Sequence, residues 1–368
     1  MTAGTRAPLR VPFSDLWSMR IEHPYSMLVR AGGHAWTCGQ CPLAANGAVL
    51  APEDIIGQAE HVDRYIRTLL VKADYTPANV GKLVIYHACQ EPAALSQVLS
   101  RFGRAYPGAL LIPVGTPYFY YPGMKIEIDV HATGHRGPLL SRELYGLRLR
   151  AVDAGDLVWM SLEVLDHAAV APGRSVPASN VVLQALREFA GISTEALLAD
   201  HWFVIEDGAA SALDALRRAG LITDIGAAVG VALPPGVIAI GELTFSSNGV
   251  MRSLARSPHS GTAVFARSSR SHFWIAARSL SGASLVEETE AIMAAISAMM
   301  RAQDWRFEDV TKATTHYLGS SAPQDLHGNM AVRNAYYRRP GPASTGLPVA
   351  GFPFSQSKVA VDVLGVIE

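Results

Sequence analysis

Cysteine is scarce in this sequence, and so are charge and long apolar runs. Only three cysteines occur among 368 residues, Cys38, Cys41 and Cys89, too few for a disulfide framework or a four-thiolate zinc site. Charged residues make up 17% and the formal net charge is −1, so no overall field gathers nucleic acid or an anionic membrane surface. No stretch reaches the roughly 20 uncharged apolar residues that a membrane helix needs. Met1 to Arg20 mixes Arg, Pro and Asp with short apolar pieces and lacks the continuous apolar core of a signal peptide. There is no G-x-G-x-x-G after a strand, no Walker loop, and no His, Cys or carboxylate group at metal-ligand spacing. The sequence therefore predicts a cytoplasmic protein that needs no cofactor and whose partner is a small molecule rather than nucleic acid or membrane.

What the sequence does contain is length, apolar residues and internal likeness. At 368 residues and 49% hydrophobic, the chain is long enough for two or three packed domains. Gln58 to Lys82 and Glu288 to Lys312 align without a gap at an offset of 230. Each reads as an amphipathic helix, an acidic turn and a strand, with Val62, Tyr65, Ile66 and Leu69 set against Ile292, Ala295, Ile296 and Met299. Asp74 then matches Asp304. A weaker middle copy from Pro177 to Asp207, at an offset of 119, sets His201 against Lys82 and ends its helix at Gly191, before a Ser-Thr-Glu start signal. Three closing strands, Tyr121 to Ala132, Pro234 to Phe245 and Ser355 to Val366, place Asp129, Glu242 and Asp362 at one shared position.

The unit reads strand, strand, helix, strand, helix, strand, an α+β layer with its helices on one sheet face. Three such units, 1–135, 136–250 and 251–368, are expected to turn their bare sheet faces to a common axis as a pseudo-trimeric barrel within one chain. Linkers are expected at Thr133 to Leu139 and Ser246 to Gly261. The assembly is expected to be a monomeric pseudo-trimer or a dimer of these.

The first unit resembles the Rid family, the YjgF-type reactive intermediate deaminases. His23 to Leu50 (HPYSMLVRAGGHAWTCGQCPLAANGAVL) is similar to the family's opening hairpin and Ser-Gly-Gln-x-Pro turn, and Lys125 to Ala132 (KIEIDVHA) to its closing acidic strand. In the third unit, Arg339 to Pro353 stands where a Pro-Ala-Arg-Ser segment is usual. The resemblance implies a trimeric barrel of chorismate-mutase-like units with ligand clefts between neighbours. It also implies an arginine that holds the carboxylate of an imine or enamine, a task suited to the guanidinium fork. That arginine is absent from all three units, and Ser344 takes its place in the third.

The resemblance places Glu127 where active members position or activate water; Ile240 and Ala360 occupy the matching positions, so one cleft at most keeps its acid. Asp129, two residues on and on the same strand face, reads as architectural. Tyr25 matches the family's Pro-Tyr tyrosine. Cys38, Gly39 and Gln40 fall on the turn where a backbone N–H meets a ligand, while the Cys38/Cys41 pair reads as small residues in a hairpin. Tyr118 to Tyr121 form an aromatic run fit to wall a cleft, with Tyr118 and Tyr120 as substrate contacts, or to join units. Of Arg333, Arg338 and Arg339, the last two are expected to replace the missing guanidinium across a cleft between units three and one. His87, His131 and His316 read as core or interface residues.

The resemblance thus implies hydrolysis, deamination or proton transfer on a small conjugated or carboxylated metabolite. One alternative is a chorismatase-like hydrolase, to which Pro342 to Gly346 (PASTG) and Lys125 to Asp129 (KIEID) are similar in reversed chain order. The other is a non-catalytic binding protein, favoured by the missing arginine.

Overall fold

The computed structural model describes residues 8–367 except 14–15, 167–177, 206–209, 224–226, 251, 257–260, 320–322 and 353–355. The first stretch holds β1 (Leu9–Pro12), β2 (Ser26–Ala31), β3 (His34–Thr37), α1 (Ile55–Lys72), β4 (Val80–His87), α2 (Pro92–Ala105), β5 (Leu110–Gly115) and β6 (Ile126–Thr133). The second holds β7 (Leu139–Leu144), β8 (Leu147–Asp153), β9 (Leu157–Leu165), α3 (Ser179–Ala190), β10 (Leu197–Val204), α4 (Ala210–Arg218), β11 (Ala227–Gly230) and β12 (Val237–Ser246). The third holds β13 (Arg252–Arg256), β14 (Thr262–Ser268), β15 (His272–Ser279), α5 (Leu285–Ala302), β16 (Val310–Tyr317), α6 (Pro323–Asn334), β17 (Ala343–Pro348) and β18 (Val359–Val366).

Local chemistry sets the long helices. Asp54 caps α1 by accepting from the Ile56 and Gly57 N–H groups at 3.0 Å, and Ser284 and Glu287 form a capping box on α5. Both helices bury the expected stripe, including Val62, Ile66 and Leu69 in α1 and Ile292, Ile296 and Met299 in α5. Asp74 and Asp304 end their turns at the same φ of 58°, a left-handed conformation that aspartate tolerates better than most residues. Gly191 closes α3 at φ 64°, and Ser193 then caps a short 3-10 turn rather than a helix.

The strand order β2-β3-β6-β4-β5 is matched by β8-β9-β12-β10-β11 and by β14-β15-β18-β16-β17. Each order ends in a short parallel strand, β5, β11 or β17, which the sequence pattern did not show. The first and third orders merge into one twelve-stranded sheet where Ala343 of β17 meets Ser26 of β2; the second, with β7, forms a separate six-stranded sheet. Neither sheet closes on itself among the described residues. Within the expected 246–261 linker, residues 252–256 form β13 on the sheet edge, while 251 and 257–260 lie outside the described residues. Apolar side chains gather in three clusters: one lies within the second stretch, one mainly within the third, and the largest centres on the first but takes in Trp159, Phe203 and Trp274 from the other two. No helix among the described residues is long and apolar enough to cross a membrane.

Register corrects one sequence alignment. His201 lies opposite Glu242, as Val84 lies opposite Asp129 and Thr314 opposite Asp362, so the middle strand aligns two residues away from the Lys82 match. Its side chain still points to the same strand face. Three buried ion pairs follow, each joining two stretches: Lys312 to Asp129 at 2.9 Å, Lys82 to Glu242 at 2.6 Å and His201 to Asp362 at 2.9 Å. Burial alone would discharge His201, yet Asp362 and Glu242 outweigh it and hold the imidazole pKa well above its ordinary value.

Candidate active site

A cavity opens between the first and third stretches, with about 80 Å³ for the centres of water-sized molecules. That is room for several waters or a small ligand. The first stretch contributes Glu127 from β6, Cys38, Gly39 and Cys41 from the turn after β3, and Phe119, Tyr120 and Tyr121 from the aromatic run. The third contributes Tyr317 from β16, Met330 and Arg333 from α6, and Ser344 and Gly346 from β17. The segment ahead of β2 covers it with Phe13, Trp17, Met19, Ile21 and Tyr25. The walls are mainly apolar, so a charge inside meets little competing water.

Glu127 is buried, at 7% exposure. Burial, reinforced by Asp129, raises its pKa to about 8, against the opposing pull of Lys312 and a hydrogen bond with Cys41. Gly39 makes room for this carboxyl: a Cβ there would lie 1.6 Å from Glu127 Oε1. Gly39→Ala should therefore displace Glu127, lowering the thermal midpoint by an overpacking cost of about 1–3 kcal/mol and turnover along with it. The same change in a Glu127→Ala background should cost little stability, and equal losses in both backgrounds would refute the steric account.

Asp129, which the sequence reads as architectural, is tied into a buried polar network. It accepts from Thr345 Oγ1 at 2.6 Å and pairs with Lys312, whose ammonium also reaches Thr345 Oγ1 at 2.6 Å and Thr37 O at 2.9 Å. Gly39 belongs to the same network, because its N–H donates to Thr345 Oγ1 at 2.9 Å. The expected role of that N–H as a ligand donor is thus corrected: it is already engaged.

Tyr25, Cys38, Gly39, Tyr120 and Ser344 line the cavity with Glu127, whereas four other expected residues do not. Gln40 is spent inside the turn, accepting from Trp17 Nε1 at 3.2 Å and donating to Cys38 O at 3.0 Å. Tyr118 faces a neighbouring surface pocket instead. Arg338 and Arg339 follow α6, where their side chains are 89% and 64% exposed beside Glu308 and Glu22; Arg339 borders only an adjoining pocket. The guanidinium in the cavity belongs to Arg333, 3% exposed, with Nε fixed by Asn329 Oδ1 at 2.8 Å one helical turn earlier. It makes no ion pair among the described residues. Tyr25 is buried near Ser344, its hydroxyl without a well-formed hydrogen bond, and burial raises its pKa against the pull of Arg333. Burial also raises Cys38 far above the ordinary thiol range, which favours the thiol over the nucleophilic thiolate. His87, His131 and His316 are buried and held toward the neutral form by burial.

The sequence model of the endoribonuclease L-PSP family matches residues 18–134. Among solved structures the chain is similar to the Rid-family protein YyfB of Yersinia pestis, with 28% identity over 30% of this chain and 86% of that one and a TM-score of 0.27. It is similar to a Mycobacterium tuberculosis member of the YjgF/YER057c/UK114 family, at 23% identity over 30% and 86% and a TM-score of 0.26. A third similarity is to Escherichia coli TdcF with bound serine, at 19% identity over 34% and 100% and a TM-score of 0.30. No curated protein matches the chain.

Proposed function

We propose, from the premise that residues 18–134 belong to the Rid family, that this chain is an enzyme of acid–base chemistry on a small carboxylated metabolite. The observation that carries the reading is the meeting of Glu127 and Arg333 in one mainly apolar cavity. Arg333 brings from helix α6 the guanidinium that Ser344 does not supply on β17. It would fork onto the substrate carboxylate, with Tyr25 and Ser344 completing the polar contacts. Glu127, with a pKa near the working pH, is suited to take a proton from an attacking water or a substrate carbon and to return it later in the cycle. The aromatic wall of Phe119, Tyr120 and Tyr121 suits a flat or conjugated body.

The reading extends to architecture. Three Rid-like units, with boundaries near residues 136 and 250, would stand around a pseudo-threefold axis and complete within one chain a ring of the kind three subunits form. The threefold strand order supports it, as do the three ion pairs, which take acids from β6, β12 and β18 and bases from the neighbouring stretch. Of the three matching positions only Glu127 is acidic, since Ile240 and Ala360 fill the others. One cleft is therefore the catalytic one.

The reading is tested by calorimetric titration with a panel of small 2-oxo and unsaturated carboxylic acids. Arg333→Met, which keeps an unbranched apolar stem but loses the guanidinium, should weaken the best ligand about 10- to 100-fold, the range of a lost charge-assisted pair. Undiminished binding would remove Arg333 from the site. A ligand that binds tightly yet is never turned over would favour the binding-protein alternative.

A further inference from the structure

A second cluster lies away from the cavity, where all three stretches meet. His34 opens β3, Asp156 sits in the turn before β9, and His272 opens β15. Each residue offers one ligand atom, and these atoms lie within 4.8 Å of one another. His34 Nε2 stands 2.6 Å from Asp156 Oδ1, and His272 Nδ1 stands 3.5 Å from Asp156 Oδ2. Two imidazoles and a carboxylate are a donor set for zinc or a similar first-row divalent ion.

His34 and His272 are 2% and 0% exposed, and the ring nitrogens that face Asp156, His34 Nε2 and His272 Nδ1, are the ones placed to ligate. Indoles wall the cluster: Trp159 lies edge-on to His34 and Trp36 to His272. A dry shell of this kind strengthens a metal–ligand bond. Asp156, with its side chain 28% exposed, is the side from which an ion would enter.

We infer that His34, Asp156 and His272 form a binding site for one divalent transition-metal ion, which ties the three stretches of the chain together. Ser271 Oγ, 2.5 Å from Asp156 Oδ2 and 2.9 Å from His272 Nδ1, orients the carboxylate. Coordination at about 2.0–2.2 Å per ligand requires His34 Nε2 to exchange its hydrogen bond to Asp156 for the ion. The site is independent of Glu127 and Arg333.

The test uses the full chain, freed of metal by chelator and dialysis. Titration with Co²⁺, followed by its visible absorbance, and competition by Zn²⁺ should show one equivalent bound, with a rise in Tm on zinc addition. Asp156→Asn keeps the hydrogen bonds to His34 and Ser271 and so preserves the fold, while His272→Gln removes a second ligand. Each should weaken binding at least about tenfold and abolish the Tm rise. Absence of saturable binding by the unaltered chain overturns the inference, as does equal binding by the chain and both variants.

Discussion

Glu127→Gln should lower turnover by about 10²- to 10⁴-fold, the usual contribution of a positioned general acid or base, while leaving affinity for a bound carboxylate nearly unchanged. The amide fills the same space beside Gly39 but cannot exchange a proton. In the unaltered protein the pH–rate profile should carry an inflection near the Glu127 pKa of about 8, and that inflection should vanish in the variant. Stability should move the other way. The folded state holds the Glu127 proton up to about pH 8, whereas the unfolded chain gives it up near the ordinary glutamate value. Between those limits the folded state binds more protons, so this group costs stability progressively as pH rises. Glu127→Gln removes that cost. The variant should therefore match the parent near pH 4 and exceed it at pH 8 in urea midpoint. Full turnover with glutamine at 127 would return that side chain to a structural role.

Lys312→Met should be the most destabilising of the substitutions considered. It leaves the Asp129 carboxylate buried without its cation, a loss of about 3–5 kcal/mol for a broken interior pair. Thr345 and Gly39 belong to the same network, so the cavity floor should loosen as well. Asp129 already has its pKa raised by burial, with Lys312 the chief opposing influence; without the lysine its carboxyl would protonate more readily. The deficit should shrink as pH falls, because a protonated Asp129 needs no cation. Urea midpoints at pH 5 and pH 8 measure this. Lys312→Met with Asp129→Leu, which removes both charges, should regain most of the loss. If the double variant is no better than the single one, the lysine acts through packing rather than charge.

Much of this was legible in the residues. The 230-residue offset holds through α1 and α5, the Asp74 and Asp304 turns, and β4 and β16, because hydrophobic spacing and turn chemistry act over a few residues. Tyr25, Cys38, Gly39, Tyr120, Glu127 and Ser344 were all found in the cavity from sequence. The short strands β5, β11 and β17 escaped notice because each is four to six residues long and two carry proline, residues tolerated where no ladder donor is needed. The two-residue shift of β10 is not caused by an irregularity of its own, since β4, β10 and β16 carry one at matching places; the weak likeness of the middle copy left its register open. Arg333 was passed over for Arg338 and Arg339 because nothing local marks which of three arginines turns inward; its helical spacing from Asn329 was the available sign. The site of His34, Asp156 and His272 had no local signature, since its members lie more than a hundred residues apart.

The three unlike ion pairs have a consequence for how such a chain changes over time. Were the three stretches identical subunits, each substitution would appear three times, and a cost of about 1 kcal/mol, typical of a single replacement, would be felt as about three. Here every replacement is felt once. A histidine can stand with two lysines, and Asp129, Glu242 and Asp362 can each suit a different partner. Covalent linkage thus lets each position drift alone, and Glu127 can be kept while its counterparts stand as Ile240 and Ala360.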